Sequence, residues 1–256
     1  GKHKINPMRY SFSGGYSHWR GSVIQYDIVL TLGIRTRAEA FGVDAGVHMV
    51  QSSNIGTRLG SNLEGLRSHN LSAILARIHH NGPVSRSALT IASGLNRSTV
   101  TILVNELILF GLVIEARAGN VSKKSRGRPS MLIHPSENVL AIAVNPEIDA
   151  ITVGLVSLGG KVQHIIRFDT DEPPTARRAV KITKAIIEGI QALLPTDARI
   201  VGIGVAVPGL TNSVDGSVTL APHLGWRQEP LAEMLSDATG LPVRAANDAH
   251  LGVLAE

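Results

Sequence analysis

The chain has 256 residues, of which 43% are hydrophobic and 18% charged, and its formal net charge is +5. This composition is typical of a folded protein and excludes an intrinsically disordered one. The sequence contains no apolar run near the ~20 residues that a membrane helix needs. It also has no cysteine for a disulfide framework or a thiolate zinc site, so we expect a cytoplasmic protein without membrane contact.

Charge and residue type divide the chain into three segments. Residues 1–60 hold six of the nine aromatic side chains and show no sustained helical or strand pattern, so we assign them no function. They are either a flexible extension or sequence upstream of a natural start near Met49. Residues 61–135 carry nine basic and three acidic side chains, whereas residues 136–256 carry nine basic and fourteen acidic ones. A basic unit before an acidic one indicates a nucleic-acid-binding module fused to a unit with another task, and a solvated basic surface is the alternative.

Helical spacing of apolar residues predicts the first helix of the basic segment, which the sequence Asn81-Gly82-Pro83 ends. Ser85 can cap the start of a second helix, and Gly94 can close it. Asn96 can then cap a third helix, so that a short turn joins the second helix to the third. The residues of the first helix that we expect to be buried are Leu71, Ile74, Leu75 and Ile78.

Opposite its apolar face, the third helix presents an arc of hydroxyl, amide and guanidinium side chains that contains no acid. Such groups near the start of a helix suit base edges in the major groove and the flanking phosphates. A solvated helix face is the alternative interpretation. The residues that we expect to contact DNA from the second and third helices are Ser85, Arg86, Arg97, Ser98, Thr99, Thr101 and Asn105.

Two short apolar runs, 112–114 and 131–133, bracket a connection that contains glycine, proline and several cations. This pattern predicts a basic β-hairpin, or wing, and a solvated loop is the alternative. Cations beside a Gly-Arg-Pro sequence suit the narrow minor groove of A·T-rich double-stranded DNA. The helices, the wing and the charge together predict a winged helix-turn-helix DNA-binding domain over residues 61–135. The cations expected to contact DNA from the wing are Lys123, Lys124, Arg126 and Arg128.

Residues 136–256 alternate strand-like runs with helical patterns, which predicts an α/β unit with a mixed sheet covered by helices. The strand-like runs are residues 139–144, 151–156, 162–167, 200–207 and 242–247. One helix follows the third run, and another lies near residues 230–239. The residues available for the buried face of the earlier helix are Val180, Ile186, Ile187, Ile190, Leu193 and Leu194.

Polar residues at the end of the last strand, Asn247 and Asp248, indicate the border of a ligand cleft. Asp248 has no partner that the sequence reveals, so a helix cap or a structural acceptor is the alternative to a general base. Pro208-Gly209 predicts a tight turn at the same cleft, with a plain structural turn as the alternative.

Several motifs of this sequence together resemble the ROK family, and in particular its repressor branch. They are the helical segment from about Gly60, SRGRPS at 125–130, GIGVAVPG at 202–209, APHLGW at 221–226 and LPVRAANDAH at 241–250. The resemblance implies an α+β winged helix-turn-helix followed by an α/β actin-like ATPase domain of the sugar-kinase-like type. It also implies a sequence-specific transcriptional regulator, a repressor of carbohydrate-metabolism genes that a sugar or sugar phosphate relieves.

Kinase members of the family carry a D-x-G-G-T-K phosphate loop after their first strand, and residues 145–150 stand at the matching place here. This loop lacks the glycines and the lysine, and it offers the carboxylates Glu147 and Asp149 where phosphates would sit. Charge repulsion and side-chain bulk both oppose ATP there, so we expect no enzyme activity. The alternatives are a ROK-type carbohydrate kinase with an added module and a truncated remnant without function.

The resemblance also assigns residues of the cleft to a sugar. Asp248 matches the catalytic base of the kinases, which in a repressor only hydrogen-bonds the inducer, and Asn247 matches a second sugar contact. Within APHLGW, His223 stands at the position where the family usually has asparagine, which leaves the identity of the inducer open. The expected ligand-binding residues are therefore Gly209, His223, Asn247 and Asp248.

The sequence stops at Glu256, where the second lobe of the family domain would follow. In the family that lobe supplies further sugar ligands, a structural zinc site and much of the dimer contact. We therefore expect an incomplete α/β domain over residues 136–256, with no metal and no cofactor. The homo-oligomerisation of the family is not carried over to this truncated chain.

Overall fold

The computed structural model describes residues 59–117 and 131–248. The segment 1–58, with the suggested start at Met49, lies outside the described residues, and so do the final residues 249–256. The predicted wing connection 118–130 also lies outside them, with its cations Lys123, Lys124, Arg126 and Arg128. Within the described ranges, no helix is both long enough and apolar enough to cross a membrane.

Three helices occupy the positions predicted in the basic segment: α1 Leu59–Asn81, α2 Arg86–Ser93 and α3 Arg97–Leu109. The predicted caps are confirmed, because the Ser85 hydroxyl accepts a hydrogen bond from the N–H of Ala88 and the side-chain oxygen of Asn96 accepts one from the N–H of Thr99. Gly94 ends α2 in the left-handed conformation, at φ 69°, which glycine adopts without steric strain. The residues of α1 predicted to be buried are buried: Leu71, Ile74, Leu75 and Ile78.

Strands β1 Val113–Arg117 and β2 Met131–Pro135 pair antiparallel, with Glu115 opposite Ile133. Val84, directly before the cap of α2, exchanges two backbone hydrogen bonds with Ile133 at 3.0 and 2.8 Å. The start of α2 is therefore tied by backbone bonds to the strand that follows the 118–130 connection.

The elements of the second unit are β3 Val139–Pro146, β4 Ala150–Ser157, β5 Val162–Asp169, α4 Ala176–Gln191, β6 Arg199–Val207, β7 Leu210–Thr211, β8 Val218–Ala221, β9 Trp226–Glu229, α5 Leu231–Thr239 and β10 Val243–Asn247. Five of these strands form one sheet in the order β10-β6-β3-β4-β5, and β7, β8 and β9 form a small second sheet that the sequence pattern does not predict. Strands β10, β6 and β3 run parallel, while β3, β4 and β5 are antiparallel neighbours, which confirms the mixed α/β sheet.

Helix α4 is shorter than its apolar pattern predicts. It ends at Gln191, and Leu193 is 87% exposed, so the prediction that Leu193 is buried was wrong. The reason is local, because the N–H of Leu193 bonds the carbonyl of Ile190 in a tighter turn that directs the side chain away from the sheet. Leu194 packs partly buried against the core, and the other predicted residues of the buried face lie in it: Val180, Ile186, Ile187 and Ile190.

One apolar cluster joins the helical unit to the sheet. Residues of α1, α2 and α3 share it with Val139 and Ala141 of β3 and Val201 of β6. Ala206 and Ala246, near the ends of β6 and β10, pack partly buried against the same cluster. A second cluster fills the space between the sheet and helices α4 and α5. The two units therefore bury apolar surface against each other.

Candidate functional site

Helix α3 exposes the polar arc that the sequence predicts. Arg97, Ser98, Thr101 and Asn105 are exposed, and Thr99 is half-buried. The arc faces outward because the opposite face is anchored in the apolar cluster shared with α1 and the sheet. The buried residues of α3 are Val100, Leu103, Val104 and Leu107.

Hydroxyl groups at the start of α3 are partly used by the helix itself. The Ser98 hydroxyl donates to the Asn96 side chain at 2.7 Å, and the Thr101 hydroxyl donates to the carbonyl of Arg97 at 2.8 Å. Both hydroxyl oxygens keep lone pairs that can accept hydrogen bonds. The start of α3 thus exposes one guanidinium, which can donate to phosphate or base oxygens, and hydroxyl oxygens, which can accept from the amino groups of bases.

Arg86, which is half-buried, and Asn105, which is exposed, belong to a polar cluster between α2, α3 and β1. The Arg86 guanidinium donates to both carboxylate oxygens of Glu115 at 3.0 Å, which is a bidentate ion pair. It also donates to the side chain of Asn105 at 3.0 Å and to the carbonyl of Thr101 at 3.3 Å. The hydrogen bonds that Arg86 donates to Glu115, together with the charge of the guanidinium, lower the pKa of Glu115. Sequence reasoning missed Glu115, whose signal was an acid in an otherwise basic segment.

Ser85 also has an internal role in addition to any contact with DNA. Its hydroxyl accepts the N–H of Ala88 at 3.1 Å and lies 2.9 Å from the hydroxyl of Ser87. Ser85 is therefore the cap of α2, as its place in the sequence predicts. Its contact with DNA stays a prediction.

The turn from β3 to β4 stands where the kinase loop was expected, and its carboxylates bind a cation of the chain itself. Arg167 of β5 forms ion pairs with Glu147, with Asp149 at 3.0 Å and with Asp169 at 3.0 Å. Asn145 donates to Glu147 at 2.9 Å. Sequence reasoning missed Arg167, because only the register of β4 with β5 brings it to this turn.

Gly209 and Asn247 meet at the ends of neighbouring parallel strands. Asn247 lies opposite Val207 in the register of β10 with β6, and its side chain donates to the carbonyl of Gly209 at 2.6 Å. A Cβ at Gly209 would lie 2.4 Å from the carbonyl oxygen of Leu220, so only glycine fits this turn. The structure therefore brings these two predicted ligand residues together.

The other two predicted ligand residues border the same end of the sheet. Asp248 is exposed and directly follows β10. His223 is exposed on the short 3-10 turn Pro222–Leu224, which follows strand β8. Because Gly209 packs against Ala221 at the end of β8, this turn starts next to the Gly209 turn. The arrangement offers a carboxylate, an amide and an imidazole, which are groups that hydrogen-bond polyols.

Comparison with known proteins relates the chain to one family. Residues 142–256 match the sequence profile of the ROK family. The xylose repressor of Caldicellulosiruptor bescii is 30% identical over 193 residues, which is 75% of this chain and 48% of that protein. A glucokinase of Streptomyces coelicolor is 31% identical over 117 residues, which is 46% of this chain and 35% of that protein.

Among solved structures, a ROK family transcriptional regulator described as a homologue of the E. coli MLC protein superposes with a TM-score of 0.54 at 28% identity. The superposition covers 71% of this chain and 46% of that one. The chain spans about half the length of the curated relatives it matches.

Proposed function

Because the chain carries a ROK family domain over residues 142–256, we propose that it is a sequence-specific, DNA-binding transcriptional regulator. In this proposal it represses carbohydrate-metabolism genes, and a sugar or sugar phosphate releases it from DNA. One observation carries the proposal: the match to the xylose repressor extends over 193 residues, more than the stretch 136–256 contains. That match therefore includes much of the basic helical unit, whereas the glucokinase match of 117 residues is short enough to fall within the α/β unit.

We assign residues 61–135 to a winged helix-turn-helix domain in which the start of α3 enters the major groove. Arg97, Ser98 and Thr101 would contact base edges, with Thr99 and Ser85 near phosphates. The exposed, acid-free arc of α3 supports this orientation. The network of Arg86, which includes Asn105 and the Thr101 carbonyl, would hold α3 in place relative to α2 and β1.

The wing would continue the pair of strands β1 and β2 and follow the minor groove of an A·T-rich operator. Its proposed contacts are Lys123, Lys124, Arg126 and Arg128. Strands β1 and β2 lie on either side of the connection and pair antiparallel, which supports a single hairpin.

We propose that an effector binds at the surface that Gly209, His223, Asn247 and Asp248 form. The hydrogen bond from Asn247 to Gly209 supports it, because it joins two of the four residues. The repressor relative takes its name from xylose, so xylose is the first effector to test.

We propose that the chain does not transfer phosphate. Glu147, Asp149 and Asp169 bring three carboxylates to the turn where the family's kinases bind ATP, and Arg167 supplies one compensating guanidinium. The net charge of this group is negative and disfavours a nucleotide phosphate.

The test is selection of DNA by the purified 256-residue chain from sheared genomic DNA at two salt concentrations, followed by sequencing of the retained fragments. A regulator enriches a defined A·T-rich site that remains bound at the higher salt concentration, because base contacts depend less on salt than phosphate contacts do. Xylose and a panel of other sugars and sugar phosphates are then added to the bound complex. Release by one of them supports the effector site, and ATP consumption with any sugar would favour the kinase alternative. Retention without an enriched site, abolished by salt, would contradict the proposal.

A further inference from the structure

The polar cluster around Arg86 connects all three elements that surround the proposed DNA surface. Arg86 stands at the start of α2, its guanidinium bonds Asn105 and the Thr101 carbonyl on α3, and its ion pair with Glu115 lies on β1. Strand β1 leads directly into the 118–130 connection. Four hydrogen bonds from one side chain therefore relate the helix proposed for the major groove to the strand that enters the proposed wing.

This cluster contributes orientation more than stability. The Arg86 and Glu115 side chains are 26% and 27% exposed, so solvent screens their attraction and the net stabilisation from the pair is small. The apolar cluster, which includes Leu89 of α2 and Val104 of α3, already holds the helices together. A bidentate arginine–carboxylate pair does, however, restrict the angle between its partners.

We propose that Glu115 is a positioning residue for operator binding. Its carboxylate holds the Arg86 guanidinium against Asn105 and the Thr101 carbonyl, and this sets the orientation of α3 relative to β1. The inference rests on the proposed DNA-binding function, and it assigns to Arg86 and Asn105 a supporting role in place of direct base contact.

Removal of the Glu115 carboxylate should change operator affinity in the direction opposite to that expected from simple electrostatics. A carboxylate near DNA repels phosphates, so its removal ordinarily strengthens binding to every sequence. If Glu115 orients α3, its removal weakens binding to the operator, because base contacts need accurate placement whereas phosphate attraction does not.

The test compares Glu115→Gln with Glu106→Gln in the full chain, on the operator obtained by selection and on a random duplex of equal length. Glu106 is a matched control, because it is an acid of α3 with a side chain 22% exposed and an ion pair to Arg67 at 2.8 Å. We expect Glu115→Gln to weaken operator binding about tenfold while affinity for the random duplex is unchanged or higher. Glu106→Gln should leave operator binding unchanged or slightly tighter.

Arg86→Lys is an independent test, since it keeps the positive charge and loses the bidentate geometry. We expect it to weaken operator binding about as much as Glu115→Gln, and the double variant to be no weaker than either single one, because the two residues act as one unit. Thermal unfolding checks that each variant folds, and if Glu115→Gln does not fold, Arg86→Lys decides.

Three outcomes would overturn the inference. Operator binding by Glu115→Gln as tight as that of the unmodified chain, or tighter, would show that the carboxylate does not orient α3. Full operator affinity in Arg86→Lys would show that only the charge of Arg86 matters. If the wild-type chain enriches no site, the proposed function is refuted and this inference falls with it. The wild-type measurement alone distinguishes that outcome from the other two.

Discussion

The Nδ1 atom of His79 accepts a hydrogen bond from the backbone N–H of Gly159 at 2.9 Å. His79 lies near the end of α1, and Gly159 lies in the turn between β4 and β5, so this bond joins the helical unit to the α/β unit. It stands beside the apolar cluster that both units share, which includes Ile78 and Leu158, the chain neighbours of these two residues. A neutral imidazole is needed here, because a protonated one has no acceptor to offer.

Stability should fall as pH is lowered from about 6.5 towards 4. Burial and, to a smaller extent, the nearby charge of His80 lower the pKa of His79 from 6.5 to about 4. Between these values the unfolded chain binds a proton that the folded chain does not, so the free energy of unfolding decreases by up to about 1.4 kcal/mol per pH unit. Urea unfolding at pH 7.5, 6.0 and 5.0 measures the slope. His79→Gln should reduce it, and the exposed His69→Gln should not; equal slopes in both variants would contradict this assignment.

Gly159→Ala should destabilise the contact between the units. Gly159 has φ 100°, and a Cβ there would lie 2.6 Å from the side chain of Pro135, so the substitution introduces both backbone strain and a clash. We expect a loss of about 2 kcal/mol in the free energy of unfolding. The matched control is Gly189→Ala on α4, where the added Cβ meets nothing within 4 Å and should stabilise the helix by about 0.5–1 kcal/mol. Similar effects of the two substitutions in chemical denaturation would be the contrary result.

Arg97→Ala should weaken binding to the operator more than binding to random DNA. Its guanidinium is exposed at the start of α3, where a contact with a base edge contributes about 1–3 kcal/mol. Fluorescence anisotropy with both duplexes measures the two affinities. Arg177→Ala is the control, since it removes an exposed arginine from α4 in the α/β unit and should change neither affinity beyond a small salt-dependent term. Equal losses on both duplexes would indicate a phosphate contact instead.

Asn247→Ala should reduce the response to effector while DNA binding persists. The substitution removes the hydrogen bond to the Gly209 carbonyl and one proposed sugar contact, yet it leaves the helical unit intact. We expect a weaker sugar-induced release from the operator by about tenfold in effector concentration. Asn138→Ala is the control, because Asn138 is an exposed asparagine that bonds Asp197 and directly precedes β3. An unchanged release curve for Asn247→Ala would remove Asn247 from the effector site.

Much of the secondary structure follows from local sequence signals. The caps Ser85 and Asn96 bond the N–H groups that their positions predict, because capping involves residues only three apart in the chain. Leu193 is the informative failure, since its apolar character fits the helical spacing and the tightened turn after Gln191 nevertheless exposes it. Periodicity indicates a buried face but does not locate the residue at which the helix ends.

What the sequence by itself determined is the order of the helices and of the strands outside β7, β8 and β9, the separation of a basic unit from an acidic one and the motifs that resemble the ROK family. These depend on neighbours along the chain or on composition. What only the tertiary structure decided is which polar groups meet: Arg86 with Glu115, Arg167 with the carboxylates of the β3–β4 turn, and the His79 side chain with the backbone N–H of Gly159. The partners in these contacts lie 18 to 80 residues apart, and their pairing depends on sheet register and on packing between units. Local propensity carries no information about such pairings, because the energy that selects them arises only when distant elements pack together.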